Sequence, residues 1–186
     1  MMRTFIAIEL ADQLKSALSS YIRELEQTKT KIRWVKPAGM HLTLKFLGEI
    51  DQRKATQVIQ ELEETIPNYP AFYLTLYGTG TFPPGSRHPK VIWIGIQKEP
   101  TLMALACGIE DKMAQLGFTR EKRDFTPHLT LGRVKSQAGI HSLIQRLKKD
   151  EHKSFGQMRV SKVIFYQSTL KPTGAEYTPL REFSLR

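Results

Sequence analysis

The chain has 186 residues, of which 40% are hydrophobic and 25% charged, and its formal net charge at pH 7 is +10. This composition suits a compact globular protein, and no apolar run approaches the ~20 residues that a membrane span needs. The N-terminus lacks the layout of a signal peptide, so we expect a cytoplasmic protein. The basic charge fits a polyanionic partner such as RNA, or equally a solvated basic surface.

The first half of the chain alternates between predicted strands and helices. Strands are predicted at 3–10, 32–35, 40–47 and 71–77, and amphipathic helices at 12–27 and 51–66. The stretch from Gly78 to Pro89 is rich in glycine and proline, which indicates an irregular loop.

The second half repeats the alternation. Strands are predicted at 91–96, around 128–133 and at 177–185, a long strand or hairpin at 155–170, and helices at 100–116 and 139–150. A turn at Pro172-Thr173-Gly174 precedes the last strand. The single cysteine, Cys107, excludes an internal disulfide, and its apolar neighbours indicate a buried position on a helix.

One tetrad occurs twice in the chain. His41-Leu42-Thr43-Leu44 is repeated as His128-Leu129-Thr130-Leu131, eighty-seven positions later. Side chains alternate along a strand, so each copy directs a histidine and a threonine to one face and two leucines to the other. One face of each strand can therefore pack in a core while the other is free for chemistry.

The same shift of eighty-seven positions superposes the predicted elements around the tetrads. Each half has the order strand, helix, tetrad strand, helix, strand. We therefore predict that residues 1–186 form a single bilobal domain with an internal duplication. Each of the two facing lobes would contribute one His/Thr pair.

Paired histidines and threonines suit acid–base chemistry on a phosphate. A histidine titrates near neutral pH, so one imidazole can accept a proton while the other donates one. Threonine hydroxyls can donate hydrogen bonds to oxygens that gain negative charge. A zinc site is the competing use of histidines, but neither tetrad contains the further ligands that zinc requires.

The motifs resemble those of the two-histidine (2H) phosphoesterase superfamily. The resemblance rests on the two tetrads, on Arg3-Thr4-Phe5-Ile6-Ala7, on Lys45-Phe46-Leu47-Gly48 and on Phe125-Thr126-Pro127-His128. Within the superfamily the chain is most similar to the RNA 2',3'-cyclic phosphodiesterases, also called 2'-5' RNA ligases. The resemblance implies an α+β fold of two pseudo-symmetric lobes around a central cleft, each an antiparallel sheet with helices on its outer face.

The resemblance also implies roles for individual residues. His41 would donate a proton to the leaving 3' oxygen, His128 would accept a proton from water, and Thr43 and Thr130 would hold the phosphate. No metal or cofactor would be required. From the residues alone the two histidines could exchange roles, because the halves are nearly symmetric.

Three further residues near the tetrads are candidates for substrate contacts. Phe46 and Arg133 each lie five positions after a tetrad histidine and are expected to contact the base and the phosphate. An odd offset faces away from the histidine on a regular strand, so both need a bulge, a twist or a strand end to reach the cleft. Lys45 has the even offset that would face the cleft, or it could be solvated.

The expected activity is metal-independent hydrolysis of a 2',3'-cyclic phosphate, at an RNA end or on a small cyclic nucleotide, to a 2'-phosphomonoester. Reversible 2'-5' ligation is the same chemistry run backward, with a 5'-hydroxyl in place of water. The alternative is a non-catalytic protein that binds RNA ends, for which two titrating groups would be unnecessary. We expect a monomer with no membrane partner.

Overall fold

The computed structural model describes residues 1–172 and 174–186, so Thr173 of the predicted turn lies outside the described residues. The strands are β1 (Met2–Glu9), β2 (Ile32–Trp34), β3 (His41–Ile50), β4 (Phe72–Phe82), β5 (Val91–Ile96), β6 (His128–Val134), β7 (Ser154–Val160), β8 (Lys162–Lys171) and β9 (Gly174–Ser184). The α-helices are α1 (Asp12–Glu26), α2 (Gln52–Thr65), α3 (Pro100–Gln115) and α4 (Ile140–Lys149). Short 3-10 helices lie at Pro37–Gly39 and Ile66–Asn68.

The strands form two antiparallel sheets, and each sheet contains strands from both halves of the duplicated sequence. The four-stranded sheet has the order β3-β1-β8-β9, and the five-stranded sheet has the order β2-β6-β5-β4-β7. Strand β4 comes from the first half but pairs with β5, while β8 comes from the second half but pairs with β1. Each half of the sequence therefore donates a strand to the other sheet. That residues 1–186 form one bilobal domain stays a prediction.

The helices cover one face of each sheet. Helices α2 and α3 contact β9 and β3 of the four-stranded sheet, and α1 and α4 contact β7 and β4 of the five-stranded sheet. Apolar residues of all four helices and both sheets join in one buried core. The predicted α+β class, with antiparallel sheets and outer helices, is confirmed. None of the helices in the described residues is long and apolar enough to cross a membrane.

A second, smaller cluster lies on the opposite face of the four-stranded sheet. It contains Phe5, Ala7, Ile164 and Tyr166, with Tyr177 packed against it. Side chains alternate along a strand, so Phe5 and Ala7 of β1 lie on the opposite side of the strand from the core residue Ile6 between them. This face, opposite to the helices, also carries His41, whose ring centroid lies 4.8 Å from that of Phe5.

Two predictions about the strands were wrong. The predicted loop from Gly78 begins as strand, because β4 continues to Phe82. The register with β5 shifts between Leu76 and Thr79, and Gly78, whose φ is 75°, lies within this irregularity. The stretch 155–170 is not a hairpin, since β7 pairs with β4 in one sheet and β8 pairs with β1 in the other. Alternation along a strand does not reveal which partner it pairs with.

The prediction that Cys107 is buried was also wrong. Cys107 is exposed, while Leu105, Ala106 and Ile109 face the core. At about 100° per residue, the side chain two positions after Leu105 lies on the opposite side of a helix. The apolar neighbours of Cys107 define the buried stripe, and Cys107 lies outside it.

Candidate active site

The two tetrads begin two strands of different sheets. His41 and Thr43 open β3 and are half-buried, and His128 and Thr130 open β6 with the same partial exposure. All four tetrad leucines are buried in the core. The predicted alternation is therefore confirmed in both copies.

A short connection ties the two tetrad strands together. The backbone N–H of Val35 donates to the carbonyl of Leu131 in β6 at 2.8 Å, and the 3-10 helix Pro37–Gly39 then leads to His41. Six residue steps span at most about 20 Å. Cα atoms of β3 and β6 also come within 8 Å of each other. The two strands that carry the tetrads therefore approach each other.

Each tetrad imidazole is oriented by the backbone two residues before it. Nδ1 of His128 lies 2.8 Å from the carbonyl oxygen of Thr126. A carbonyl oxygen can only accept, so Nδ1 carries the proton and Nε2 is left for another partner. The ring of His41 makes its hydrogen bond with the backbone of Gly39. Gly39 and Thr126 are equivalent positions of the two repeats.

The imidazole of His41 lies among aromatic rings. The ring centroids of Phe5 and Tyr177 are 4.8 and 4.9 Å away, and that of Tyr166 is 6.3 Å away. Burial in this cluster lowers the pKa of His41 from 6.5 to about 4, and the hydrogen bond with Gly39 opposes the shift. His41 is therefore neutral at pH 7 when no ligand is bound.

The imidazole of His128 has a different aromatic environment. The ring of Phe82 contacts it edge-on with centroids 5.0 Å apart, and the ring centroid of Trp93 is 6.5 Å away. Both aromatic residues belong to strands of the five-stranded sheet. The two histidines are thus equivalent in sequence position but not in surroundings.

A bulge brings Phe46 to the face of His41. Across β1, Ala7 pairs with Thr43 and Ile6 pairs with Lys45, so Leu44 is skipped. Phe46 then pairs with Phe5, their ring centroids are 5.9 Å apart, and the Phe46 side chain is 57% exposed. The bulge shifts the alternation of side chains along β3 by one residue, as Phe46 requires to lie on the same face as His41.

The second tetrad strand has the same bulge. Trp93 pairs with Thr130 and Ile92 pairs with Gly132, so Leu131 is skipped, eighty-seven positions after Leu44. Arg133 then pairs with Val91 and is exposed on the face that carries Thr130. Both predicted substrate-binding side chains therefore lie on the histidine face of their strand.

Comparison with known proteins identifies the family of this chain. The model of the 2'-5' RNA ligase superfamily matches residues 14–171. The chain belongs to this superfamily. The resemblance seen in the motifs, to the 2H phosphoesterases, is thereby confirmed.

Members of the superfamily match the chain over almost its whole length. A protein of Archaeoglobus fulgidus named RNA 2',3'-cyclic phosphodiesterase is 36% identical over 183 residues, which is 98% of this chain and 99% of the relative. One of the same name in Methanothermobacter thermautotrophicus is 31% identical over 183 residues, 98% of each chain. The crystal structure of TT0787 of Thermus thermophilus superposes with a TM-score of 0.84 at 29% identity and covers 100% of this chain and 98% of that one.

Lys45 lies on the opposite side of β3 from His41 and Thr43. The bulge at Leu44 turns Lys45 toward the core, where its side chain is only 1% exposed. Its Nζ donates to Glu110 Oε1 at 2.8 Å and to the carbonyl of Thr119 at 2.9 Å. The prediction that Lys45 has the parity to reach the cleft, or is solvated, was wrong because the bulge reverses the parity.

Arg33 is a candidate that sequence reasoning missed. Arg33 of β2 pairs directly with Arg133 of β6, and both side chains are exposed. Within the described part of the chain neither arginine forms a salt bridge. Like charges placed opposite each other on neighbouring strands destabilise a sheet, whereas an anion between them would stabilise it. The sequence shows that Arg33 alternates with Ile32 and Trp34, but it does not show that β2 pairs with β6.

The tetrad threonines retain free hydrogen-bonding capacity. Among the described residues neither hydroxyl forms a side-chain hydrogen bond, and both are partly accessible. No group of three or more His, Cys, Asp or Glu side chains in the described residues could hold a metal ion. The faces of β2, β3 and β6 that are turned away from the core thus carry two imidazoles, two hydroxyls and two guanidinium groups.

Proposed function

We propose that this protein hydrolyses the 2',3'-cyclic phosphate at an RNA end, or on a small cyclic nucleotide, to a 2'-phosphomonoester. One observation supports this most strongly. Two tetrad imidazoles, on strands of different sheets that approach each other, are each held by the backbone two residues earlier. General acid–base catalysis at one phosphorus needs such a pair. The names of the close relatives agree with this activity.

The proposed reaction moves one proton at each side of the phosphorus. His128 Nε2 accepts a proton from water as the water oxygen bonds to phosphorus. The bond between phosphorus and the 3' oxygen breaks, and His41 donates a proton to that oxygen. The products are a 3'-hydroxyl and a 2'-phosphomonoester, and neither step requires a metal ion.

The low pKa of His41 is compatible with a proton donor in the complex. Opposite charge nearby favours the protonated imidazole, so an anionic phosphate in the cleft raises the pKa of His41. The phosphate gains negative charge in the transition state, which strengthens this effect. The acid form of His41 is thus favoured by the substrate itself.

The remaining polar groups are assigned to binding of the phosphate and the base. The hydroxyls of Thr43 and Thr130 would donate to the non-bridging oxygens. Arg133, with Arg33 opposite it, would neutralise phosphate charge, and the exposed ring of Phe46 would stack on the terminal base. We further propose that the protein acts as a monomer in the cytoplasm, with cyclic-phosphate-ended RNA as its partner.

Product analysis tests this function directly. The purified protein is incubated with an oligonucleotide that ends in a 2',3'-cyclic phosphate, with and without EDTA. We expect a product with the phosphate on the 2' oxygen, formed at the same rate with EDTA. A 3'-phosphate product, or dependence on a metal, would contradict the proposed roles. Tight binding of the oligonucleotide without any product over hours would favour the RNA-end binder instead.

A further inference from the structure

An aromatic platform lies beside His128 on the five-stranded sheet. It consists of Trp93 and Phe82, whose ring centroids are 5.5 Å apart. Trp93 pairs with Thr130 across β5 and β6, so its side chain is on the same face as the catalytic candidates. Both residues are half-buried, so each keeps some accessible surface.

Gly80 allows the indole of Trp93 to lie against the sheet. A Cβ atom at Gly80, on β4, would overlap the six-membered ring of Trp93. A larger residue at Gly80 would therefore lift the ring off the strand. One face of the indole thus packs against the backbone at Gly80, so a ligand would approach the opposite face.

The indole N–H shows how a ligand can meet this ring. Nε1 of Trp93 is buried and has no hydrogen-bond acceptor in the described residues. An unpaired buried donor destabilises the folded state, and phenylalanine at this position would avoid that cost. Since the Nε1 edge is inaccessible, a ligand can reach the ring only through its exposed face or its other edge. That contact is stacking, which every nucleic-acid base can make.

We infer that Trp93 and Phe82 form a subsite for an acceptor nucleoside, whose 5'-hydroxyl replaces water at His128. The inference rests on the proposed function. In an in-line displacement the nucleophile enters on the side opposite to the leaving oxygen. If His41 serves the leaving 3' oxygen, the nucleoside that carries the nucleophile lies on the side of His128. That side is where the platform is.

The resulting reaction joins two nucleosides through a 2'-5' linkage. His128 accepts the proton of the 5'-hydroxyl, the 5' oxygen bonds to phosphorus, the bond to the 3' oxygen breaks, and His41 protonates that oxygen. In reverse, the 3'-hydroxyl attacks, a cyclic phosphate forms and the 5' oxygen leaves with a proton from His128. No nucleotide triphosphate is consumed, because the ring-opening and ring-closing steps exchange one phosphodiester for another.

Stacking is what would let a nucleoside compete with water at this position. An acceptor held on the platform presents its hydroxyl at a high effective concentration, while bulk water is excluded from the space it occupies. The platform lies on the five-stranded sheet, whereas Phe46, proposed for the terminal base, extends from the four-stranded sheet. Two separate aromatic surfaces would thus serve two nucleosides.

The test measures how much of a cyclic nucleotide the enzyme transfers to a nucleoside 5'-hydroxyl and how much it transfers to water. Wild-type protein is given 2',3'-cyclic AMP and an excess of adenosine, and the ratio of 2'-5'-linked diadenosine monophosphate to 2'-AMP is determined. We expect Trp93→Ala to lower this ratio about fivefold or more, as loss of one base–aromatic stack does. Trp93→Phe should lower it less and leave the thermal unfolding temperature unchanged or raised, which separates the effect from misfolding.

A matched control is available on the same sheet. Tyr73 lies on β4 with 60% of its side chain exposed, nine positions before Phe82. We expect Tyr73→Ala to leave the product ratio unchanged. If the wild-type protein hydrolyses the cyclic nucleotide but the Trp93 variants keep its product ratio, the acceptor subsite is wrong. Absence of hydrolysis by the wild-type protein would instead overturn the proposed function on which the subsite depends.

Discussion

Leu44 and Leu131 occupy equivalent positions of the two repeats, and each is skipped in the register of the neighbouring strand. This repeated bulge lets the tetrad leucines stay in the core while the residues two positions later return to the face that carries the tetrad histidines. Phe46 and Arg133 owe their placement to it. The duplication therefore extends to the local geometry of the strands.

Phe46 should contribute to substrate affinity through its exposed ring. We expect Phe46→Ala to lower kcat/KM for a cyclic-phosphate-ended oligonucleotide. The corresponding loss of transition-state stabilisation should be about 1–3 kcal/mol, the range for loss of a stacked base. Steady-state kinetics measures the change. Leu170→Ala, at a residue that is 69% exposed on β8, is a control for loss of exposed apolar surface and should have no effect. Equal effects of both substitutions would contradict a specific role for Phe46.

The two tetrad histidines should both be required for turnover. We expect His41→Ala and His128→Ala each to lower kcat by about 10²–10⁴-fold, since each removes one proton transfer. The kcat of the double variant should be little lower than that of the less active single variant, because the two groups act in one step. Far-ultraviolet circular dichroism checks that the variants fold. Full activity in either single variant would end the assignment.

The pKa of His41 should move when a phosphate binds. In the free protein its pKa is lowered to about 4 by burial, so the imidazole is neutral above that pH. A bound 2'-nucleotide brings negative charge and should raise the pKa toward or above its usual value. Titration by NMR of the imidazole resonances, assigned with His41→Gln, measures both values. An unchanged pKa in the complex would argue against His41 as the proton donor.

The same shift predicts the pH dependence of folding stability. The folded pKa of His41 lies below its unfolded value of 6.5, so the unfolded state binds the proton more tightly. The stabilising contribution is complete above about pH 6.5 and is lost as the pH falls toward 4. Urea unfolding should therefore show a decrease in stability over this window, and the decrease should be smaller in His41→Gln. An identical slope in the variant would show that other groups dominate.

The ion pair of Lys45 and Glu110 should be asymmetric in its effect on stability. Lys45 is the desolvated partner, at 1% exposure, while the side chain of Glu110 is 22% exposed and also accepts from the backbone N–H of Glu121. Removing one partner of a buried pair costs about 3–5 kcal/mol when the remaining charge cannot be solvated. Glu110→Gln should therefore destabilise more than Lys45→Met, measured by urea unfolding.

A double variant provides the control for this comparison. With Lys45→Met and Glu110→Gln combined, no unpaired charge is left in the core, so part of the stability lost in Glu110→Gln should return. If the two single effects simply add, the residues do not act as a pair.

Much of the site could be predicted from the sequence because it depends on local patterns. The alternation within each tetrad is visible over four residues. The duplication and the histidine pair are visible when the sequence is compared with itself at a fixed shift. The leucines of both tetrads are buried as the pattern predicted. Strand periodicity assigns a face to each residue without knowledge of the partner strand.

The features that were missed depend on pairing between distant segments. The burial of Lys45 requires the bulge at Leu44 and an acidic partner in α3, neither of which the alternation reveals. Arg33 became a candidate only when β2 was found to pair with β6. The exchange of β4 and β8 between the sheets is likewise a matter of partner choice. Register and partner choice are set by tertiary packing, which a single strand does not encode.

Arg33 should affect stability and activity in opposite directions. It faces Arg133 across neighbouring strands, and like charges at this spacing repel. We expect Arg33→Met to leave the unfolding temperature unchanged or raised, and to raise KM for a cyclic-phosphate-ended RNA. The rise should be larger at low ionic strength, because salt screens the attraction that the variant has lost. Lys98→Met removes a charge from an exposed site and controls for the net charge. If Lys98→Met raises KM as much as Arg33→Met does, the effect belongs to the overall charge of the protein, and Arg33 has no specific contact with the phosphate.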